Sequence, residues 1–302
     1  MRATVKRAAE RSLCRIGMPH VGRTLRRGDT LVLAYHNIVP AGEPVAGEAS
    51  LHLPEHEFAR QLELIARTHT VVPITALLEP ATRTGRPRAV ITFDDAYQGA
   101  VTAGARRLAA LGLPATFFVA PAFVGGRSFW WDSLAAAGRL NAAVRSHALG
   151  ELQGKDASIR RRAHEQGTPG AELPWHATAA TEAQLAAAAA TPGITLASHS
   201  SSHANLACLP RHELEEELAR PLAWLRRRYA TVVPWLSYPY GAYTTEVEAA
   251  AMRLGYAGAF RIDGGWLPPR ARRRLSALPR LNVPAGVSLR GFELRISGVL
   301  AR

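Results

Sequence analysis

The sequence predicts an α/β protein built on a parallel sheet flanked by helices, and three observations predict it. Short apolar, β-branched runs alternate with stretches of helical spacing from Leu31 to Val283. With 302 residues and 47% hydrophobic content, the chain can bury one sizeable core, so one domain with insertions fits better than two. Charged residues make up 20%, and neither a repeat nor a low-complexity linker interrupts the series, which excludes a disordered chain.

Leu31 to His36 reads as a buried strand ending in polar residues. Residues 37–53, with Gly42, Pro44 and Gly47, read as a loop, and helical spacing follows from Pro54 to Arg67 through Phe58, Leu62 and Ile65. A short strand is expected at Val71-Val72. Arg88 to Phe93 is the strongest strand signal, β-branched and bounded by Pro87 and Asp94. A helix through Val101, Ala105, Leu108 and Leu111 stops at Gly112 and Pro114. Ala115 to Ala120 is the next strand.

Residues 129–190, rich in Ala and Arg, read as a mostly helical insertion. Strands are then expected at Ile194–Ser198, Pro234–Ser237, Ala257–Arg261 and Leu278–Val283, with helices over His212–Tyr229 and Thr244–Leu254. An open doubly wound sheet and a barrel both accommodate this order. In either, functional residues collect where strands end and loops begin.

The formal charge of +13 points to a polyanionic neighbour. Cys14 and Cys208 lie far apart in no metal-ligand spacing, so reduced thiols in a cytoplasmic setting are the expectation. Residues 1–28 form a basic leader with eight Lys or Arg and one acid, Glu10. Its uncharged stretches are too short or too polar for a secretory signal, and no apolar span is long enough to cross a bilayer. Val5, Ala9, Leu13 and Ile16 share roughly one helical face opposite Arg7 and Arg11. That face suits either packing on the domain or peripheral contact with an anionic inner-membrane surface.

Asp94 and Asp95 leave a buried strand together, a costly arrangement unless they are paired, metal-bound or capping a helix. His199 and His203 follow another strand end, and their spacing of four puts both imidazoles on one face of a helical turn, able to grip one divalent ion. With 11 histidines in the chain such a pair arises easily by chance, so it counts only with its position. Tyr238-Pro-Tyr-Gly241 follows a third strand end, where a turn can aim a backbone N–H at an oxyanion or can be a turn and nothing more.

Taken in order, Thr92-Phe-Asp-Asp95, His199-Ser-Ser-Ser-His203 and Tyr238-Pro-Tyr-Gly241 resemble the polysaccharide deacetylases, carbohydrate esterase family 4. Leu33-Ala-Tyr-His36, Pro114-Ala-Thr-Phe-Phe-Val119 and Gly258-Ala-Phe260 agree, so the resemblance runs from about residue 30 to 285. It implies a distorted, incomplete (β/α) barrel over residues 29–302. It implies that Asp95, His199 and His203 hold a divalent metal, usually Zn²⁺ and in some members Co²⁺ or Ni²⁺. Asp94 matches the general base and the Tyr240 N–H the oxyanion donor.

The chain departs from the family pattern twice. Ser237 stands where many members carry an Arg that orients the base, and Leu278-Pro-Arg280 replaces a late Leu-x-His that supplies the acid. Arg280 is then the candidate partner of Asp94, and His36 the candidate acid. Trp266 follows Gly264-Gly265 where the family places an apolar wall for the acetyl methyl. Trp130 and Trp131 read as core packing, and Arg270, Arg272, Arg273 and Arg274 as a basic loop for phosphate or acidic sugar, or simply a solvated one.

The reading is a metal-dependent hydrolase that removes N-acetyl groups from an amino-sugar-containing glycan, cell-wall precursor or lipid-linked amino sugar, in the cytoplasm or at the inner membrane surface. Two alternatives remain, a hydrolase of another amide or ester and a non-catalytic glycan- or polyanion-binding protein on the same fold. Nucleic-acid binding has no motif behind it beyond charge.

Overall fold

In the computed structural model, residues 2–79, 85–135, 137–269 and 274–300 are described. Two helices, α1 (Arg2–Arg15) and α2 (Met18–Leu25), precede β1 (Thr30–Tyr35). Then come β2 (Asn37–Val39), β3 (His52–Pro54), α3 (Glu55–Thr68), β4 (Thr70–Val71), β5 (Arg88–Phe93), α4 (Ala105–Ala110) and β6 (Ala115–Val119). The stretch rich in Ala and Arg forms α5 (Trp130–Ser133), α6 (Ala142–Leu149), α7 (Asp156–Glu165) and α8 (Glu182–Ala189). The chain continues through β7 (Ile194–Ser198), α9 (Arg211–Arg228), β8 (Val232–Ser237), α10 (Thr245–Arg253), β9 (Gly258–Phe260), β10 (Trp266–Leu267), β11 (Leu281–Asn282) and α11 (Leu289–Ile296).

The main sheet runs β10-β1-β5-β6-β7-β8-β9, parallel throughout except for β10. All six residues of β1 and of β5 are buried, because parallel strands carry helices or barrel filling on both faces. Alternation sorts their side chains. Leu31, Leu33, Ile91, Phe93 and Phe117 face outward to the helices, whereas Val32, Val90, Phe118, Trp235 and Phe260 face inward. Gly258 permits the tight inner packing, since a Cβ there would stand 2.3 Å from the Trp235 ring.

The last strands curl the sheet into a distorted, incomplete (β/α) barrel, as the sequence predicts. Leu278 bridges Phe260 of β9, and three residues later Leu281 pairs with Leu33 of β1. One short segment therefore spans both sides of the gap. Its middle residue, Arg280, is completely buried between them.

Four elements differ from the sequence reading. β2 and β3 pair with one another inside the region expected to be loop, and β10 and α11 are additional. Each of the three strands has only two or three residues, too few for a period of two to register. Among the described residues no helix is long and apolar enough to cross a membrane.

Candidate metal and acyl-transfer site

The chemistry-bearing residues meet at the carboxyl ends of the parallel strands, where such folds place their sites. Asp94 and Asp95 follow β5, His36 follows β1, His199 follows β7, and Tyr240 lies in the turn after β8. A cavity of about 160 Å³ is lined by His36, Asp94, Asp95, His199, His203 and Tyr240, together with Leu51, Trp131, Arg145 and Ile262.

Backbone strain concentrates here. Among the described residues seven non-glycines have positive φ, and Asp95, Ala96, Ser200, His203 and Tyr240 are five of them. Each such conformation costs about 1–3 kcal/mol and persists only where its surroundings fix it. For the histidine loop the fixing group is Glu217 of α9. Its carboxylate accepts from the Ser201 and Ser202 N–H groups at 3.0 and 2.9 Å and from the Ser202 hydroxyl at 2.6 Å. The Ser200 hydroxyl accepts from the His203 N–H at 3.0 Å. Next to His199, the β7–β8 pairing shifts register between Leu196 and Ser198.

Asp95, His199 and His203 each offer a ligand atom within 4.8 Å of the others, and all three are buried. The two Nε2 atoms are 3.1 Å apart, and Asp95 Oδ1 lies 3.5 Å from that of His199 and 3.2 Å from that of His203. His199 Nδ1–H donates to the Ser237 carbonyl at 2.8 Å, which turns a bare Nε2 toward the cluster when the ring is neutral. Asp95 Oδ1 and His203 Nδ1 are buried without a hydrogen bond.

Burial works to lower the His199 pKa, but Asp94 and Asp95 outweigh it and raise the pKa above its ordinary value. Burial and then the neighbouring His199 lower that of His203. Such a set calls for one shared positive charge. A carboxylate and two imidazoles suit a divalent ion of the zinc type, so the residues present fit a metal.

Asp94 belongs to the barrel's inner face with Val90 and Thr92, and there it meets Arg280. The pair is bidentate, Nη1 to Oδ1 and Nη2 to Oδ2, both at 2.7 Å. The remaining guanidinium donors go to Thr92 Oγ1 at 3.2 Å, Ser237 Oγ at 2.7 Å and the Arg261 carbonyl at 3.1 Å. All five donors are satisfied. The group sits between the Phe118 and Phe260 rings, 5.5 and 5.6 Å from their centroids. Although burial pushes the Asp94 carboxyl up, the Arg280 charge outweighs it and holds the pKa down at about 2.

The Tyr240 ring stands edge-on to His203 at 4.6 Å, and its hydroxyl accepts from Trp130 Nε1 at 3.1 Å. The turn's own hydrogen bonds run from Gly241 to Tyr238 and from Ala242 to Pro239, and neither uses the Tyr240 N–H. His36 lines the cavity and is partly buried as a residue. Burial, reinforced by Arg280 and His199 against the pull of the carboxylates, lowers its pKa.

One expected residue lies elsewhere. Trp266 pairs with Leu31 in the lower half of β1, packs against His69 and lies under Arg26. The antiparallel pairing of β10 puts it on the outer face, away from the strand ends that form the cavity. The aromatic wall is Trp131 instead, with its ring 4.6 Å from His203. Its Nε1–H donates to the Tyr97 hydroxyl, which donates to Asp132, and Asp132 also accepts from His52. In sequence Trp131 looked like core, because nothing local distinguishes a tryptophan that closes a cavity from one that fills a domain. Of the basic loop, Arg270, Arg272 and Arg273 lie outside the described residues, and Arg274 pairs with Glu248.

The family profile described as polysaccharide deacetylase matches residues 81–259, more than half of the chain. No curated protein matches. Among solved structures, the chain is similar to the Streptococcus pyogenes deacetylase PplD, determined in complex with acetate, at 16% identity. That alignment covers 89% of this chain and 97% of that one with a TM-score of 0.61. IcaB from Ammonifex degensii aligns at 16% identity over 90% of this chain and 96% of its own, TM-score 0.60. A de-N-acetylase from Aggregatibacter actinomycetemcomitans does so at 16% over 90% and 100%, TM-score 0.60. These likenesses establish the shared fold.

Proposed function

The chain belongs to the polysaccharide deacetylase family, and from that premise we propose that it is a metal-dependent hydrolase removing N-acetyl groups from an amino-sugar-containing glycan or glycan precursor. One observation carries the reading. Three ligand atoms, one of them a buried carboxylate oxygen with no hydrogen bond, converge beside a second carboxylate locked to an arginine. In this reading Asp95, His199 and His203 hold the metal, zinc first and cobalt or nickel as alternatives. Such an ion lowers the pKa of a bound water and polarises the acyl carbonyl.

Arg280 takes one lone pair from each Asp94 oxygen and leaves the others free, so Asp94 stays charged and oriented toward the attacking water. With Arg280 holding it ionised, Asp94 is available to accept the water's proton as attack proceeds, and a protonated group must then donate to the leaving nitrogen. His36, on the cavity wall, is the proposed donor for that last step. The Tyr240 N–H, freed by its left-handed turn, is the proposed donor to the oxyanion. The cavity opens to solvent, so in this reading an acyl group enters it while the glycan lies across its mouth. Trp131, Leu51 and Ile262 provide an apolar wall for the methyl group.

The acetate in one relative and the de-N-acetylase description of another support acetyl as the group removed. Acetate release should be measured with purified, metal-loaded protein on chitooligosaccharides, β-1,6-linked N-acetylglucosamine oligomers and lipid-linked amino sugars. Turnover of one class, lost in Asp94→Asn with metal retained, is the expected result. Silence on every amino sugar with metal bound would sink the proposal, and turnover of a simple ester or amide alone would move the chain to another substrate. The rival reading, a non-catalytic glycan- or polyanion-binding protein, rests on the +13 charge and the two motif departures. The Arg280–Asp94 pair weakens it by supplying the partner that Ser237 cannot.

A further inference from the structure

We propose that α1 and α2 form a docking face for an anionic lipid surface. Among the described residues ten large hydrophobic side chains are exposed, and four of them fall on these two short helices or the joint between them. They are Val5 (64% exposed), Ile16 (71%), Val21 (48%) and Leu25 (82%). Val5 and Ile16, eleven residues apart, return to the same side after about three turns, and Val21 and Leu25 are neighbours at i, i+4. Gly17, at φ 79°, breaks the two helices apart at the joint.

Cationic surface lines the remaining sides of these helices, on α1 mainly the side opposite Val5 and Ile16, the two-faced pattern of a helix at a lipid interface. A groove of about 950 Å³ between α1, α3 and α11 is lined by Arg7, Arg11, Arg15, Arg60, Arg67 and Arg290. Three acids share it, of which Glu10 is buried and accepts from the Ser288 hydroxyl. A second cavity, about 190 Å³, is lined by Arg23, Arg27, Arg67 and Arg86 with His20, and among the described residues no carboxylate lines it, although Arg23 also reaches Glu293 at 3.6 Å and Arg86 donates to the Ala66 and Arg67 carbonyls. Arg67 lines both, so the cationic surface is continuous.

Charge alone would fit any polyanion. A nucleic acid, however, offers exposed aliphatic side chains nothing to bury, whereas a lipid interface accepts the apolar residues and the arginines together. The smaller cavity reaches Gly85 and Pro87, just ahead of β5, while the acyl site lies at the opposite ends of the strands. Docking through this face leaves that site open to substrate. The inference is independent of the catalytic reading, because none of its residues belongs to the site.

Co-sedimentation of the full chain with vesicles of phosphatidylcholine, alone or with about one third phosphatidylglycerol, tests it. Binding is expected only to the anionic vesicles. It should weaken about tenfold or more in I16D/L25D, and in R23S/R27S to an extent that added salt erases. Ile16, Leu25 and Arg27 are exposed while Arg23 is largely buried and faces Glu293, so circular dichroism melts check that both variants fold. Absence of binding to anionic vesicles would overturn the proposal. So would I16D/L25D binding them as the parent does, and a duplex DNA competitor displacing both proteins equally would then identify a general polyanion surface.

Discussion

At the scale of single residues, the two departures from the family pattern are one rearrangement. The guanidinium missing at Ser237 arrives from Arg280, and the Ser237 hydroxyl, too short to reach Asp94, accepts from that same guanidinium. Sequence reasoning could name Arg280 because it lies in the last expected strand, Leu278–Val283, while Ser237 stands where the family's Arg is missing. It could not show that all five donors would be used. The pair is buried on both sides, so Arg280→Met leaves an uncompensated carboxylate and should cost about 3–5 kcal/mol in denaturant unfolding. Arg280→Lys keeps the charge but loses the fork, and should retain the fold better than the activity. The informative variant is S237R/R280M, which returns the guanidinium to β8. Recovery of turnover above R280M is expected, and a double variant no better than R280M would separate the two departures again.

Elements were legible where they are long and periodic and obscure where tertiary pairing defines them. β5 and β7 read correctly to the residue from β-branched apolar runs, while β2, β3 and β10 exist through their partners alone. The loop carrying His203 shows the same limit. The four-residue spacing suggested a helical turn, yet Ser200 and His203 both have positive φ, and Glu217 on distant α9 holds the loop. Glu217→Ala should therefore weaken metal affinity about 10–100-fold in a chelator competition, with a melting temperature close to the parent's. Equal affinity would mean that the loop holds itself. His69 anchors the start of β4 to α11 by donating to the Ile296 carbonyl at 3.0 Å. Burial lowers its pKa from 6.5 to about 4, so the folded protein keeps it neutral while the unfolded chain protonates near 6.5. That contribution is complete above pH 6.5 and is lost as the pH falls toward 4. About 2 kcal/mol should be gone by pH 5 in urea unfolding, and His69→Gln should remove that part of the pH dependence.

The whole molecule brings Asp95, after β5, and His199 and His203, after β7 on the far side of β6, into one cavity, and the Leu278–Asn282 segment joining β9 to β1 completes the barrel around it. The alternation of strands and helices alone fits an open sheet and a barrel equally, and it is the resemblance to the polysaccharide deacetylases that points to the barrel. Metal binding and global folding are linked, since the unfolded chain holds Asp95 more than a hundred residues from the two histidines. At a free metal concentration about 100 times Kd, linkage adds about 2.7 kcal/mol. With an unfolding entropy of about 2.1 cal/mol/K per residue over 302 residues, the melting temperature should rise by about 4 °C with zinc. His203→Ala should melt without that rise, because two remaining ligands leave the ion in easy exchange with water. Asp94→Asn should keep it, because Asp94 lines the same cavity but is not one of the three clustered ligands. A zinc-dependent rise that survives in His203→Ala would place the ion elsewhere and dissolve the link between the closed barrel and its chemistry.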